Sequence, residues 1–68
     1  MRTFEFSEGT SNKFWEISLS GKSHTVTFGR IGTEGQTKTK DFADEAAARK
    51  DYDKLVREKT GKGYQEVT

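Results

Sequence analysis

An aromatic ring and a guanidinium group stand two positions apart at Phe28 and Arg30, with Gly29 between them. If this segment is a β-strand, Phe28 and Arg30 project from the same face, because successive side chains of a strand alternate. An exposed ring can stack on a sugar or a base, and an arginine can bind a phosphate through paired hydrogen bonds. The alternative interpretation places Phe28 in the core and leaves Arg30 as an ordinary solvated residue. A glycine inside a strand indicates a bulge or the close approach of another group.

The segment around this triplet is rich in glycine and is predicted to form a β-hairpin. Its glycines are Gly29, Gly32 and Gly35. Alternating sequence precedes and follows them, which is typical of two paired strands joined by a short loop. A four-residue loop would place Lys38 and Lys40 on the face opposite Phe28. A bulge at Gly35 would instead place both lysines on the Phe28 face, and the sequence leaves the two registers open.

Length and composition predict one small domain over residues 1–68. Apolar residues make up only 29% of the chain, but disorder usually also requires a high net charge, and here 12 basic residues nearly balance 11 acidic ones. We therefore expect a folded chain, and the overall charge does not indicate a strongly charged partner. No cysteine is present, which excludes disulfides and cysteine-based zinc sites. No apolar run approaches the roughly 20 residues of a membrane span, and the first residues lack a signal-peptide core, so a cytoplasmic location is expected.

Residue types that support catalysis are scarce in this sequence. His24 is the one histidine, and we expect it on the surface or on an edge strand. Asp51 and Asp53 do not share a face of the predicted helix and are interpreted as solvated surface residues. We therefore predict that the chain is not an enzyme, that it needs no cofactor and that it holds no metal ion.

The order of patterns predicts an α+β fold, in which a four-stranded antiparallel β-meander packs against one C-terminal helix. The four strands are predicted at residues 3–7, 13–20, 24–31 and 36–40, and the helix at residues 44–60. Asp44 is a suitable N-cap, and Gly61 is expected to end the helix in a left-handed conformation. The predicted core contains Trp15, Ile17, Tyr52 and Leu55.

These residues resemble the WGR domain, a family named for a central Trp-Gly-Arg and found in DNA-dependent poly(ADP-ribose) polymerases and in many bacterial proteins. The resemblance rests on residues 11–17, on residues 28–37 and on the helix with the Lys62-Gly63-Tyr64 segment, and it is closest to the bacterial branch. Phe28 stands where the family has tryptophan. Phenylalanine keeps a stacking face but lacks the indole N–H donor.

The resemblance implies a non-catalytic module of a larger protein that binds the ends or the backbone of DNA, and we expect the chain to be monomeric. In the polymerases the signature aromatic packs against a terminal sugar, and the arginine contacts DNA or a neighbouring domain. Carried over by position, the predicted nucleic-acid-binding residues are Phe28, Gly29, Arg30, Asn12, Lys13, Gln36, Lys38 and Lys40. The alternative hypothesis is a docking module that binds another domain of the parent protein, with Arg30 as the polar anchor.

Overall fold

Five strands and one helix make up the computed structural model, which describes residues 1–68. The elements are β1 (Arg2–Glu8), β2 (Ser11–Ser20), β3 (Ser23–Arg30), β4 (Gln36–Asp41), α1 (Glu45–Gly61) and β5 (Gln65–Glu66). They form one sheet in the order β4-β3-β2-β1-β5, and every neighbouring pair is antiparallel. The predicted α+β class, the meander of the first four strands and the C-terminal helix are confirmed. No helix combines the length and the apolar character that crossing a membrane requires.

The prediction of four strands is wrong, because β5 adds a fifth strand beside β1. β5 is only two residues long, and its side chains are exposed, so the sequence has no apolar alternation there that would predict a strand. Backbone pairing and an ion pair hold it instead: the Arg2 guanidinium binds both carboxylate oxygens of Glu66, at 2.7 and 2.9 Å. The hydrogen bonds from Arg2 keep the pKa of Glu66 below its usual value.

The helix begins and ends through two different capping arrangements. Asp44 is the N-cap, as predicted, and its carboxylate accepts a hydrogen bond of 2.7 Å from the Ala47 N–H. The predicted stop at Gly61 is wrong, because Gly61 is the last helical residue and Gly63 takes the left-handed conformation, with φ +103°. The Tyr64 N–H then donates to the Lys59 carbonyl at 3.1 Å, which completes a Schellman motif.

The core lies between α1 and one face of the sheet. Phe4 of β1 pairs with Trp15 of β2, and Ile17 is the next residue of β2 on the same face; all three are buried, as is Ala48 on the helix. Half-buried residues surround them, namely Val26, Phe28, Tyr52, Leu55, Val56 and Tyr64. The predicted core is therefore confirmed, with Tyr52 and Leu55 at its margin. Helix α1 packs on β2 and β3, whereas every residue of β4 is exposed.

Candidate nucleic-acid interface

The register of the β3–β4 hairpin decides which cations accompany Phe28. Phe28 pairs with Gln36, Val26 with Lys38 and His24 with Lys40, so the two lysines lie on the Phe28 face. The register with a four-residue loop is therefore wrong, and the alternative that places the lysines beside Phe28 is the one found. On the opposite face, hydroxyl pairs between threonines of β3 and β4 join the strands at 3.0 and 3.1 Å.

Gly29 is required by the hairpin itself. A Cβ atom at Gly29 would lie 2.8 Å from the Cα of Gly35, a distance that real contacts do not reach. The ring of Phe14 packs against both glycines, and its Cζ would lie 2.8 Å from a Cβ at Gly35. The predicted close approach to Gly29 is therefore made by the protein's own loop and by Phe14.

Phe28 is neither a fully exposed ring nor a fully buried core residue. Its ring packs against the core at the margin of the helix–sheet interface, yet it remains half-buried. The exposed part lies between two cavities and lines both of them. The Lys38 ammonium lies 5.6 Å from the centre of the Phe28 ring, within the range of a cation–π interaction.

The first cavity, which we call the Arg30 cavity, lies at the hairpin end of the sheet and has a volume of about 360 Å³. Its walls contain three rings, from Phe14, Phe28 and Tyr64, together with the backbone of Gly29. Its cations are Lys13, Arg30 and Lys59, and no acidic residue lines it. The structure thus brings together four of the predicted binding residues, and adds Phe14, Lys59 and Tyr64 to them.

The second cavity, which we call the Lys40 cavity, is a groove of about 580 Å³ between α1 and the β3–β4 hairpin. Apolar side chains from both layers line it, namely Trp15, Val26, Phe28 and Leu55. Its cations are Lys38, Lys40 and Lys59. Asp51 is the one acidic residue in its lining, and that carboxylate is bound to His24.

Lys59 joins the two cavities and was not among the predicted site residues. Its ammonium lies 5.7 Å from the Trp15 ring and 5.2 Å from the Tyr64 ring. Burial lowers the pKa of Lys59, and the nearby charge of Lys62 lowers it further. The sequence did contain a signal, since Lys59 falls on the apolar stripe of the helix together with Tyr52, Leu55 and Val56.

The prediction that His24 lies on the surface or on an edge strand is wrong. The side chain is buried, with 4% of its surface exposed, and β3 is an interior strand of the sheet. Its Nε2 atom lies 2.6 Å from the Asp51 carboxylate of α1, and its ring packs on Phe42. Asp51 is thus half-buried and paired across the helix–sheet interface, whereas Asp53 is exposed, as predicted. The pair was invisible in the sequence because its partners lie on different elements.

Two of the predicted residues line neither cavity. Asn12 is exposed at the start of β2, and its carbonyl oxygen accepts a hydrogen bond of 3.0 Å from the Ile31 N–H. Gln36 is exposed opposite Phe28 at the start of β4. The cavities therefore divide the other six predicted residues into a group around Arg30 and a lysine pair on β4, with Phe28 common to both.

A model of the WGR domain matches residues 1–68, the whole of the chain. The chain belongs to the WGR family. The predicted resemblance is confirmed, and this WGR domain carries Phe28-Gly29-Arg30 at the position that gives the family its name. Two proteins of Escherichia coli (strain K12) are similar to it: YfeS is 40% identical over 65 residues, 96% of this chain, and YehF is 41% identical over 66 residues, 97% of this chain.

Both relatives are longer proteins. The WGR domain spans about a quarter of their length, 27% of YfeS and 24% of YehF. A crystal structure of a Bacteroides fragilis protein, from the Northeast Structural Genomics Consortium, is also similar. It matches 98% of this chain with a TM-score of 0.96 and 43% identity, and the match covers 19% of that protein. The agreement extends to the whole sheet and helix described above.

Proposed function

We propose that this WGR domain is a non-catalytic module that binds the end of a nucleic-acid strand, DNA in the first instance, through Phe28 and the cations around it. One observation carries the proposal: a half-buried aromatic ring lies between two cavities whose five cations are opposed by a single carboxylate, which is already paired with His24. The polyanionic backbone of a nucleic acid is complementary to such a surface. Membership of the WGR family supports the same proposal.

In the Arg30 cavity, the proposal places a terminal sugar against Phe28 and a phosphate between Arg30 and Lys13. None of the three cations of this cavity is engaged in a salt bridge, so they are free to bind an anion. A hydrogen bond to a charged group contributes about 1.5–3 kcal/mol. No carboxylate lines the cavity, so none competes with a phosphate for these cations.

Lys38 competes with a ligand for the face of Phe28, and the magnitudes favour the ligand. A cation–π interaction at an exposed site contributes about 0.5–1 kcal/mol. A base that stacks on an aromatic side chain contributes about 1–3 kcal/mol. We therefore expect a bound base or sugar to displace the Lys38 ammonium from the ring, which leaves that ammonium free to bind an adjacent phosphate.

The test is a binding titration of the 68-residue chain and its Arg30→Ala variant against a 5′-phosphorylated duplex end. Arg30 is exposed, so the substitution should leave the melting temperature unchanged while affinity falls roughly ten- to hundredfold. Arg57→Ala is the matched control, because Arg57 is exposed on α1 and lines neither cavity. That variant should bind like the parent.

Salt dependence separates this proposal from the docking module. Phosphate contacts make the logarithm of the association constant fall steeply and linearly with the logarithm of the salt concentration. If Arg30→Ala binds the duplex end like the parent, or if the parent does not bind it, the proposed function is wrong. Binding of a protein domain with a shallow response to salt would then favour the docking module.

A further inference from the structure

We propose that the Lys40 cavity is a second binding site, which takes the base of an unpaired nucleotide that continues from the strand end held in the Arg30 cavity. The inference rests on the proposed function and extends it, because it specifies a strand end with unpaired nucleotides as the preferred ligand over a blunt one. It assigns a role to a groove that lies outside the Phe-Gly-Arg signature, apart from the shared ring of Phe28.

The walls of the cavity suit a flat, largely apolar group. Trp15 and Val26 come from the sheet and Leu55 comes from the helix, so apolar surface faces the groove from both layers. The volume of about 580 Å³ lies within the range of small-molecule sites. Helix α1 does not cover β4, and the whole of that strand is exposed, so the groove is open along one side to a chain that enters from solvent.

The charges of the cavity select an anionic ligand. None of its three lysines takes part in a salt bridge, because Asp51, the one acidic residue of the lining, is paired with His24. Lys38 and Lys40 instead lie over the rings of Phe28 and Phe42, at 5.6 and 5.3 Å. A ligand that combines an apolar ring with phosphates is complementary to this arrangement, and a nucleotide is such a ligand.

His24 adds a polar group to the lining of the same cavity. Its Nε2 atom is paired with Asp51, but its Nδ1 atom is buried and has no hydrogen-bond partner. Buried polar atoms are rarely left unpaired, and each such atom calls for an explanation. His24 lines the groove, so a base bound there would place its polar edge beside a ring that still has an unpaired nitrogen.

The two cavities are adjacent, since Phe28 and Lys59 line both. A strand whose terminal phosphate lies beside Arg30 can therefore pass over Phe28 and enter the Lys40 cavity, with Lys59 contacting its backbone at the junction. A paired base cannot enter the groove unless it leaves the duplex, because its Watson–Crick edge is bonded to its partner and its ring is stacked on the neighbouring base pair. This geometry is the reason to expect a preference for unpaired nucleotides.

The experiment compares three 5′-phosphorylated duplexes by fluorescence anisotropy: a blunt duplex, one with three unpaired thymidines at its phosphorylated 5′ end, and one with three abasic nucleotides in their place. The thymidine overhang should bind about tenfold tighter than the blunt end, as expected of one stacked base. The abasic overhang, which keeps the phosphates, should lose most of that gain. Lys40→Gln should weaken binding of the thymidine overhang more than it weakens binding of the blunt end, so that the gain becomes smaller.

Lys22→Gln is the matched control, because Lys22 is exposed in the β2–β3 turn and lines neither cavity. It should retain the full preference for the overhang. If the blunt end binds and the thymidine overhang binds no tighter, this inference is overturned while the proposed function stands. The same holds if the abasic overhang keeps the gain, since charge alone would then explain it. If no duplex binds, the inference and the proposed function both fail.

Discussion

At the scale of single residues, Phe28 has an observed place at the margin of the core and a proposed role in stacking. Part of its ring completes the margin of the core, and the other part faces two cavities. The core needs apolar volume, which several residues can supply, whereas stacking needs a flat aromatic face. Substitutions that separate volume from aromaticity can therefore distinguish the two roles.

We predict that Phe28→Leu weakens nucleic-acid binding by about 1–3 kcal/mol, because the stacking face is lost. The free energy of unfolding should fall by only about 1 kcal/mol, since leucine keeps most of the buried apolar surface. Phe28→Trp should bind as tightly as the parent or more tightly, because it enlarges the face. Titration and chemical denaturation of both variants provide the measurements. A Phe28→Leu variant with unchanged affinity would show that Phe28 acts only in the core.

Lys59 is expected to oppose folding while it is charged. Its pKa in the folded chain lies below the ordinary 10.5 because of burial, so the folded state disfavours the ammonium relative to the unfolded state. Stability should therefore increase as the pH rises through the folded pKa towards 10.5, where the unfolded chain holds more protons. Lys59→Met should accordingly be more stable than the parent at pH 7, and this advantage should shrink at alkaline pH.

Denaturation of Lys59→Met and the parent at neutral and at alkaline pH tests this expectation. Lys54→Met is a suitable control, because Lys54 is exposed on the same helix and lines neither cavity. The same Lys59→Met protein should bind nucleic acid more weakly, since the cation at the junction of the two cavities is lost. If the difference in stability between Lys59→Met and the parent does not vary with pH, the lowered pKa of Lys59 in the folded chain is contradicted.

At the scale of elements, the end of α1 positions part of the site. The Schellman motif turns the chain so that Tyr64 lies beside Lys59 and packs on Phe6, with ring centres 5.3 Å apart. Tyr64 then forms a wall of the Arg30 cavity. The turn depends on Gly63, whose positive φ is costly for any residue with a side chain.

We predict opposite effects for alanine at the two glycines near the end of α1. Gly63→Ala should lower the free energy of unfolding by about 1–2 kcal/mol, because alanine is strained in the left-handed region. Its Cβ would also lie 3.1 Å from the Phe6 ring. Gly61→Ala should raise the free energy of unfolding by about 0.4–1 kcal/mol, since Gly61 is helical and its Cβ would meet no atom within 4 Å.

Thermal denaturation of the Gly63→Ala and Gly61→Ala variants, followed by circular dichroism of the helix, tests both predictions. The comparison controls for composition, because both variants replace a glycine with alanine within three residues of each other. Equal effects in the two proteins would contradict the assignment of Gly63 as the residue that ends the helix.

At the scale of the whole molecule, few interactions join the helix to the sheet. Only five residues are buried, and the one polar residue among them is His24, which contacts Asp51 of α1. The pair joins the sheet to the helix, and both of its residues line the Lys40 cavity. In so small a core, one buried polar contact is a substantial part of what fixes the helix on the sheet.

We predict that Asp51→Ala lowers the free energy of unfolding by about 1–3 kcal/mol, because the buried His24 ring then has no partner at either nitrogen. Asp53→Ala is the control: its carboxylate is exposed, and its contact with Arg49 is long, at 3.7 Å. That variant should change stability by no more than about 0.5 kcal/mol. Urea denaturation of both proteins makes the comparison, and similar losses in the two would contradict a structural role for the His24–Asp51 pair.

The sequence by itself determined the local parts of this protein. Alternation predicted the first four strands, Asp44 predicted the start of the helix, and the apolar row with Trp15 and Ile17 predicted the buried face. Each of these follows from residues within one element, where period and capping act directly on the backbone. The residues around Phe28-Gly29-Arg30 also predicted the WGR family correctly.

The tertiary structure decided which residues meet across elements. The β3–β4 register placed Lys38 and Lys40 on the Phe28 face. Packing of the helix on the sheet brought Lys59 between the cavities and paired Asp51 with His24. The fifth strand belongs to the same class, because the pairing of Glu66 with β1 depends on where Arg2 lies. A one-residue change of register reverses a strand's faces, and contacts between distant residues leave no periodic trace in the chain, so these arrangements depend on the folded geometry alone.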